Sequence, residues 1–150
     1  MWQIINIYIC AIIMMFGVLF FGKIILNKKI KIAYKSFFLL FLLVCVFHTI
    51  IGLNFLGTFK TISMFLINTL FLYKTFNIQI KKSIFLSFLY MIILMIPDLL
   101  QLFIATSILG ISKQFYYEEF AGSLISNFII CISCIFITFI LRKKLRKLIL

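Results

Sequence analysis

The sequence is poor in the residues that a soluble domain needs on its surface. Only 12% of its 150 residues are charged, whereas a soluble globular domain has about 25%. It holds three acidic residues, one histidine, one tryptophan and one proline. With so few polar groups, a surface in contact with water cannot be covered, so lipid must be the solvent for most of the chain.

Long apolar runs fill the space that charged residues leave, and hydrophobic residues make up 65% of the chain. Since a spanning helix needs about 20 mainly apolar residues, the sequence predicts an all-α fold, a polytopic membrane bundle forming one transmembrane domain. The third segment is the weakest because it contains Lys60. Strands are not predicted, since the runs lack alternation. The predicted helices cover residues 2–26, 36–54, 55–73, 83–107 and 121–141, and a basic cytoplasmic tail covers 142–150.

The net charge of +12 is concentrated on every second connection between these segments. By the positive-inside rule, this pattern predicts a multi-pass cell-membrane protein with its N-terminus outside and its C-terminus in the cytoplasm. The expected partner of the basic residues is the anionic headgroup layer; nucleic acid is not expected, because the cations form no stripe with exposed aromatics. The predicted membrane-surface residues are Lys28, Lys29, Lys81, Lys82, Arg142, Lys143, Lys144, Arg146 and Lys147.

Catalytic and metal chemistry find little support in the sequence. Cys131 and Cys134 have a C-x-x-C spacing, but no second pair completes a zinc site. We interpret both as small apolar fillers. Cys45 and His48 lie one turn apart without a charged cluster that would activate a thiolate. No glycine-rich phosphate loop is present. The sequence therefore predicts a protein that is not an enzyme and has no catalytic residue, cofactor or metal.

The segment "MIILMIPDLLQLF", residues 91–103, places Asp98 inside an apolar helix. At about 1.5 Å per residue, Asp98, His48 and Asn127 lie roughly 22, 18 and 21 Å from the basic ends of their helices. Three polar side chains from three helices thus share one level. An ionised carboxylate facing lipid would cost several kcal/mol, so Asp98 should point inward and find a partner.

His48 is the first candidate partner of Asp98, followed by Asn127 and Gln101, which lies three residues further along the helix. Pro97 removes a backbone donor and loosens the preceding turn. These five residues are the predicted ligand-binding or signal-transmitting set. The alternative interpretation is that Asp98 only holds helices together through hydrogen bonds. Asn68 falls nearer the basic side and is a candidate bridge between helices.

Two stretches together resemble a known family: "ISMFLINTLFLYKTFNIQIKKSIFLSFLYMIILMIPDLLQLFI" and "LISNFIICISCIFITFILRKKLRKL". Their order of helices and polar landmarks is similar to the N-terminal membrane sensor region of Agr-type peptide-pheromone histidine kinases, which carry a GHKL ATPase domain. The resemblance implies an extracellular peptide signal that is passed to a cytoplasmic kinase, with a signalling role for Asp98. The family's phosphoacceptor histidine and ATP-binding boxes are not found in this sequence, so kinase activity is not expected of it.

The predicted function is therefore a signal-sensing transmembrane bundle without a kinase domain of its own. An extracellular peptide and a second copy of the chain are the candidate partners. Two alternatives remain open. One is a small transporter or permease subunit that uses Asp98 as its charged site, and the other is an immunity-type protein that binds a partner within the bilayer.

Overall fold

The protein is a bundle of five helices, seen in a computed structural model that describes residues 2–28, 33–54, 58–112 and 120–149. The described ranges contain no strand, so the predicted all-α class is confirmed. Lys29, one of the predicted membrane-surface residues, lies outside them. The helices are α1 (Trp2–Leu26), α2 (Tyr34–Asn54), α3 (Thr58–Phe76), α4 (Ile80–Phe103) and α5 (Phe120–Ile149), and a π-helical turn, Ile104–Ile108, ends α4.

The helix bounds differ from the predicted ones by a few residues in α2, α3 and α4. The second helix begins at Tyr34 instead of 36, the third continues to Phe76 instead of ending at 73, and the fourth begins at Ile80 instead of 83. Residues 55–57 of the predicted third segment lie outside the described ranges. The fifth does not end at 141 but continues through the basic segment to Ile149. The basic residues of the predicted tail therefore belong to the same helix as the apolar segment before them.

Residues in the left-handed conformation mark three of the helix ends. Asn27 follows α1 with a φ of 52°, Asn77 follows α3 with a φ of 48°, and Gly110 follows the π-helical turn with a φ of 66°. Asparagine and glycine tolerate this conformation better than other residues, which is why they often end helices. The N–H of Asn27 donates to the carbonyl of Lys23 at 3.0 Å and so satisfies one of the last carbonyls of α1.

Three helices of the described chain are long and apolar enough to cross a membrane. They are Ile4–Leu26, Ile80–Ile108 and Gly122–Leu148, with 23, 29 and 27 residues. A shorter apolar stretch, Tyr34–Ile50, belongs to α2. Large apolar side chains such as Phe88 and Leu99 are about three-fifths exposed on the outside of the bundle. Contiguous apolar surface of this kind needs a covering, and lipid supplies it to a membrane protein.

Helix α1 is the centre of the bundle, because it packs against all four other helices and most extensively against α5. Hydrogen bonds between α1 and α5 advance in the same direction along both helices, which are therefore parallel. Asn6 Nδ2 donates to Ser123 Oγ at 2.6 Å, and Cys131 Sγ lies 3.5 Å from the carbonyl of Ile13. Each interhelical hydrogen bond within a membrane contributes about 0.6 kcal/mol.

The basic end of the bundle is the end that carries Lys28, Lys81, Lys82 and the 142–147 segment. The half of the bundle next to it is filled by a tightly packed apolar core. Ring contacts join α2 to α3, where the Phe41 and Phe71 centroids lie 6.3 Å apart. Large side chains with no exposed surface fill this half; they include Phe21, Phe71, Leu72, Phe76 and Leu86.

Arg146 ties the end of α5 to the end of α1. Its guanidinium donates from Nε to the carbonyl of Ile25 at 3.1 Å and from Nη2 to the carbonyl of Ile24 at 2.6 Å. These carbonyls belong to the last turn of α1, where no further helical N–H is available. A cation is also favoured there by the helix dipole. Arg146 was predicted to lie at the membrane surface, and the structure gives it this additional contact.

Gly22 allows α1 and α3 to approach closely, which generates a stability prediction. A Cβ at this position would lie 2.5 Å from Phe76 Cε2 and 2.8 Å from Leu72 Cδ2. Both neighbours are fully buried and cannot move aside. Gly22→Ala should therefore lower the unfolding free energy by about 1–3 kcal/mol, as overpacking typically does. Adding Phe76→Leu, which removes the ring edge, should recover part of the loss in a melting experiment in detergent. An additive or worse double variant would contradict this packing.

The contact between Arg146 and α1 gives a second prediction. Arg146→Ala should lower the unfolding free energy in detergent by about 1.5–3 kcal/mol, because two hydrogen bonds to a charged donor are lost. Lys147→Ala is the matched control, since it removes the same charge from an exposed neighbouring position. Equal melting temperatures for the two variants would mean that Arg146 acts only as a surface charge.

Candidate functional site

A cavity of about 380 Å³ lies between the helices in the half of the bundle away from the basic end. All five helices contribute to its wall. The lining residues come from 6–18 of α1, from His48 of α2, from 60–68 of α3, from 90–98 of α4 and from 123–130 of α5. This end of the bundle is called the cavity end below.

Toward the basic end, the cavity stops where the packed apolar core begins. Val18, Asn68 and Tyr90 are the lining residues nearest the basic end on their helices. One turn below them, the side chains of Phe21, Phe71 and others have no exposed surface. The Tyr90 ring is closely packed, with its centroid 5.3 Å from that of Phe21, and its hydroxyl lies 3.3 Å from the Met14 carbonyl. The cavity therefore does not continue toward the basic end.

Asp98 lies on the cavity wall and is half-buried. Tyr90, Leu94 and Asp98 follow each other at intervals of four residues, so they form one stripe along α4. The carboxylate makes no hydrogen bond or ion pair with any residue of the described chain. Asp98 is thus turned toward the cavity and away from lipid, as the cost of exposing a carboxylate to hydrocarbon requires.

His48 has a different partner from the one that the sequence suggested. Its Nε2 lies 3.4 Å from Oδ1 of Asn68, at a distance that suits an imidazole N–H donated to the amide oxygen. Both side chains are buried and line the cavity, so the expected His48–Asp98 pair is not formed.

Asn127 belongs to a polar network that joins α5 to α1. Its Nδ2 donates to the Ser123 carbonyl at 2.7 Å and lies 3.3 Å from Cys10 Sγ. The Cys10 thiol in turn lies 3.6 Å from Oδ1 of Asn6. Asn6, Cys10 and Ser123 were not among the predicted site residues. Their recurrence at intervals of four along α1 and α5 was the available signal.

Lys60 forms part of the cavity wall on α3, opposite in charge to Asp98 on α4. In the sequence, Lys60 marked only a weakness of the third segment. Lys60 is partly buried and makes no hydrogen bond or ion pair with residues in the described ranges. The cavity wall therefore carries one basic and one acidic side chain that are not bonded to each other. Apolar side chains, among them Met14, Met64, Met91 and Leu94, form much of the remaining wall.

Pro97 and Gln101 lie beside the cavity and not on its wall. Pro97 is buried within α4, which continues through it. Within the part of the chain that the structure describes, Oε1 of Gln101 is buried without a hydrogen-bond partner. Of the five predicted site residues, the structure thus brings Asp98, His48 and Asn127 to one cavity and leaves Pro97 and Gln101 behind it.

Comparison with known proteins identifies no relative of this chain. No family model, curated protein or solved structure matches the chain. The function is therefore argued from the cavity itself, from its position in the bundle and from the charges on its wall.

The contact between His48 and Asn68 can be tested by a double-mutant cycle. Substituting each residue by alanine, singly and together, should give a coupling energy of about 0.6 kcal/mol, as for hydrogen bonds in other membrane bundles. The same cycle between His48 and Asp98 should be additive within about 0.5 kcal/mol. Thermal unfolding in detergent measures both cycles. Coupling in the second cycle and additivity in the first would restore the pairing suggested by the sequence.

Proposed function

We propose that the protein is a signal-receiving membrane bundle whose cavity binds a small ligand from the cavity end and which performs no catalysis. The observation that carries the proposal is a cavity with charged and polar groups on its wall, confined to one half of an otherwise apolar bundle. Polar and charged side chains are expensive within a membrane and commonly mark a functional site. Its volume also falls within the range of about 300–1,000 Å³ typical of small-molecule sites.

The proposed orientation places the cavity outside the cell. Apart from Lys60, the described cations gather at the opposite end of the bundle, which the positive-inside rule assigns to the cytoplasm. All five helices cross the bilayer in this proposal, with the N-terminus outside and the C-terminus inside. Helix α3 has 19 residues and is about 28 Å long, close to the roughly 30 Å of the hydrocarbon core.

Helix α5 offers a route by which binding is transmitted. It lines the cavity through residues 123–130 and continues without interruption to Ile149, where Arg146 holds the end of α1. A ligand that displaces the Asn6–Ser123 contact would therefore act on two helices that reach the cytoplasmic side. Small helix shifts of about 1–2 Å are a known means of such switching. The resemblance to the sensor region of peptide-responsive kinases supports this role and suggests a peptide as the signal.

A transport function is the second candidate, and the unpaired Asp98 in the cavity favours it. Against it stands the packed core between the cavity and the basic end, because a transported molecule must leave on the other side. The two functions differ in access to the cavity: a receptor opens it to one side of the membrane only, whereas a transporter opens it to each side in turn.

Cys10 is a natural reporter for this difference, because it lies on the cavity wall. In a variant with Cys45, Cys131 and Cys134 replaced by alanine, a small membrane-impermeant methanethiosulfonate should modify Cys10 from the cavity end only. A second variant that retains only the fully buried Cys134 is the control and should stay unmodified from either side.

Modification of Cys10 at similar rates from both sides of the membrane would contradict the receptor proposal and support transport. No modification from either side would show that water does not reach the cavity, and would remove both functions. Sidedness is assigned in proteoliposomes with the reagent placed outside or trapped inside.

A further inference from the structure

The two charges on the cavity wall identify the kind of ligand that the cavity accepts. Lys60 projects from α3 and Asp98 from α4, and both line the same 380 Å³ space. The two side chains do not approach within 4 Å of each other, so they form no ion pair. Both are half-buried, and a charged group at a cavity wall needs water or a ligand to solvate its exposed side.

A ligand that enters this space displaces that water and must replace what the water provided. A neutral ligand would leave both charges desolvated, and a ligand with one charge would leave one of them without a partner. An uncompensated charge in a low-dielectric site is strongly unfavourable. A ligand that carries both a positive and a negative charge gives Asp98 and Lys60 a partner at the same time.

We propose that the cavity binds a small zwitterion, an amino-acid-like molecule whose ammonium faces Asp98, whose carboxylate faces Lys60 and whose apolar side group lies against the methionines. This inference rests on the proposed function, because it concerns the ligand of the same cavity. It names the chemical class, which the proposed function leaves open.

The rest of the wall agrees with this class. Met14, Met64 and Met91 provide flexible apolar surface that adapts to different side groups. The amides of Asn6 and Asn127 can bond a carboxylate or a peptide group. The volume lies near the lower limit of the usual range for ligand sites, so one small molecule fits and a long peptide does not.

Four compounds with one skeleton separate the contributions of the two charges. L-leucyl-L-leucine is a zwitterion, its N-acetyl form is an anion, its C-terminal amide is a cation, and the form blocked at both ends is neutral. Their apparent affinities are measured for the full chain in nanodiscs from the rise in melting temperature with ligand concentration. The dipeptide should bind at least about tenfold more tightly than each blocked form, since a hydrogen bond to a charged group contributes at least that factor.

Two variants should then change the preference in opposite directions. Asp98→Asn removes the partner of the ammonium, so the N-acetyl anion should become the preferred compound. Lys60→Gln removes the partner of the carboxylate, so the amide cation should become the preferred one. Lys74→Gln is the matched control, because it removes an exposed lysine of the same helix at the basic end and should leave the preference unchanged.

The inference is overturned if the wild-type protein binds all four compounds equally, if it binds none of them, or if the two variants do not exchange the preference. These outcomes are distinct from a failure of the proposed function. Cys10 modified from the cavity end alone, together with no preference for the zwitterion, would leave the receptor in place and reject only this ligand class.

Discussion

The structure depends on one constraint: hydrocarbon surrounds the helices, so each polar side chain must turn inward and find a partner or enclosed water. The consequences are visible at both ends of the bundle. Apolar side chains such as Phe88 and Leu99 cover the outside. Asp98, His48, Asn68 and Asn127 line one cavity, where His48 meets Asn68 and Asp98 makes no hydrogen bond with the described residues.

The same constraint divides the bundle into two halves with different packing. Toward the basic end, fully buried aromatic side chains and the close approach at Gly22 leave no space between helices. Toward the cavity end, asparagine, serine and methionine side chains replace the aromatic ones and a cavity remains. The parallel pair α1 and α5 runs through both halves, joined by polar contacts near the cavity and by Arg146 at the basic end. A change at the cavity can reach the basic end through this pair.

The sequence predicted the helices and the level of the polar side chains along them. Composition and run length predicted the all-α class and the bounds of α1, Trp2–Leu26. Counting along the helices placed Asp98, His48 and Asn127 at one level, which agrees with their position around a single cavity. Depth can be read because 1.5 Å per residue is a fixed rise and the basic residues mark one end of each helix.

Rotation about the helix axes could not be read in the same way. In lipid, both the outward and the inward faces of a helix are apolar, so polarity does not show which face meets a neighbour. The partner of His48 was missed for this reason, because the sequence does not show that His48 of α2 and Asn68 of α3 face each other. Lys60 was interpreted only as a charge that weakens the third segment. The sequence does not show that Lys60 and Asp98 line the same cavity. Gln101 shares a face with Asp98 by spacing, but it lies behind the cavity wall.

If all five helices cross the bilayer, as proposed, the cavity lies at one end and the described cations other than Lys60 lie at the other. The crossing of helix α3 is the part that needs testing most, because Phe59 at the start of that helix and Lys81 just after its end must then lie on opposite sides. Single cysteines at these two exposed positions, in a chain whose own cysteines are replaced, can be labelled with an impermeant reagent in oriented vesicles. The account predicts labelling of Phe59→Cys from the outer side only and of Lys81→Cys from the cytoplasmic side only. Labelling of both from the same side would contradict it.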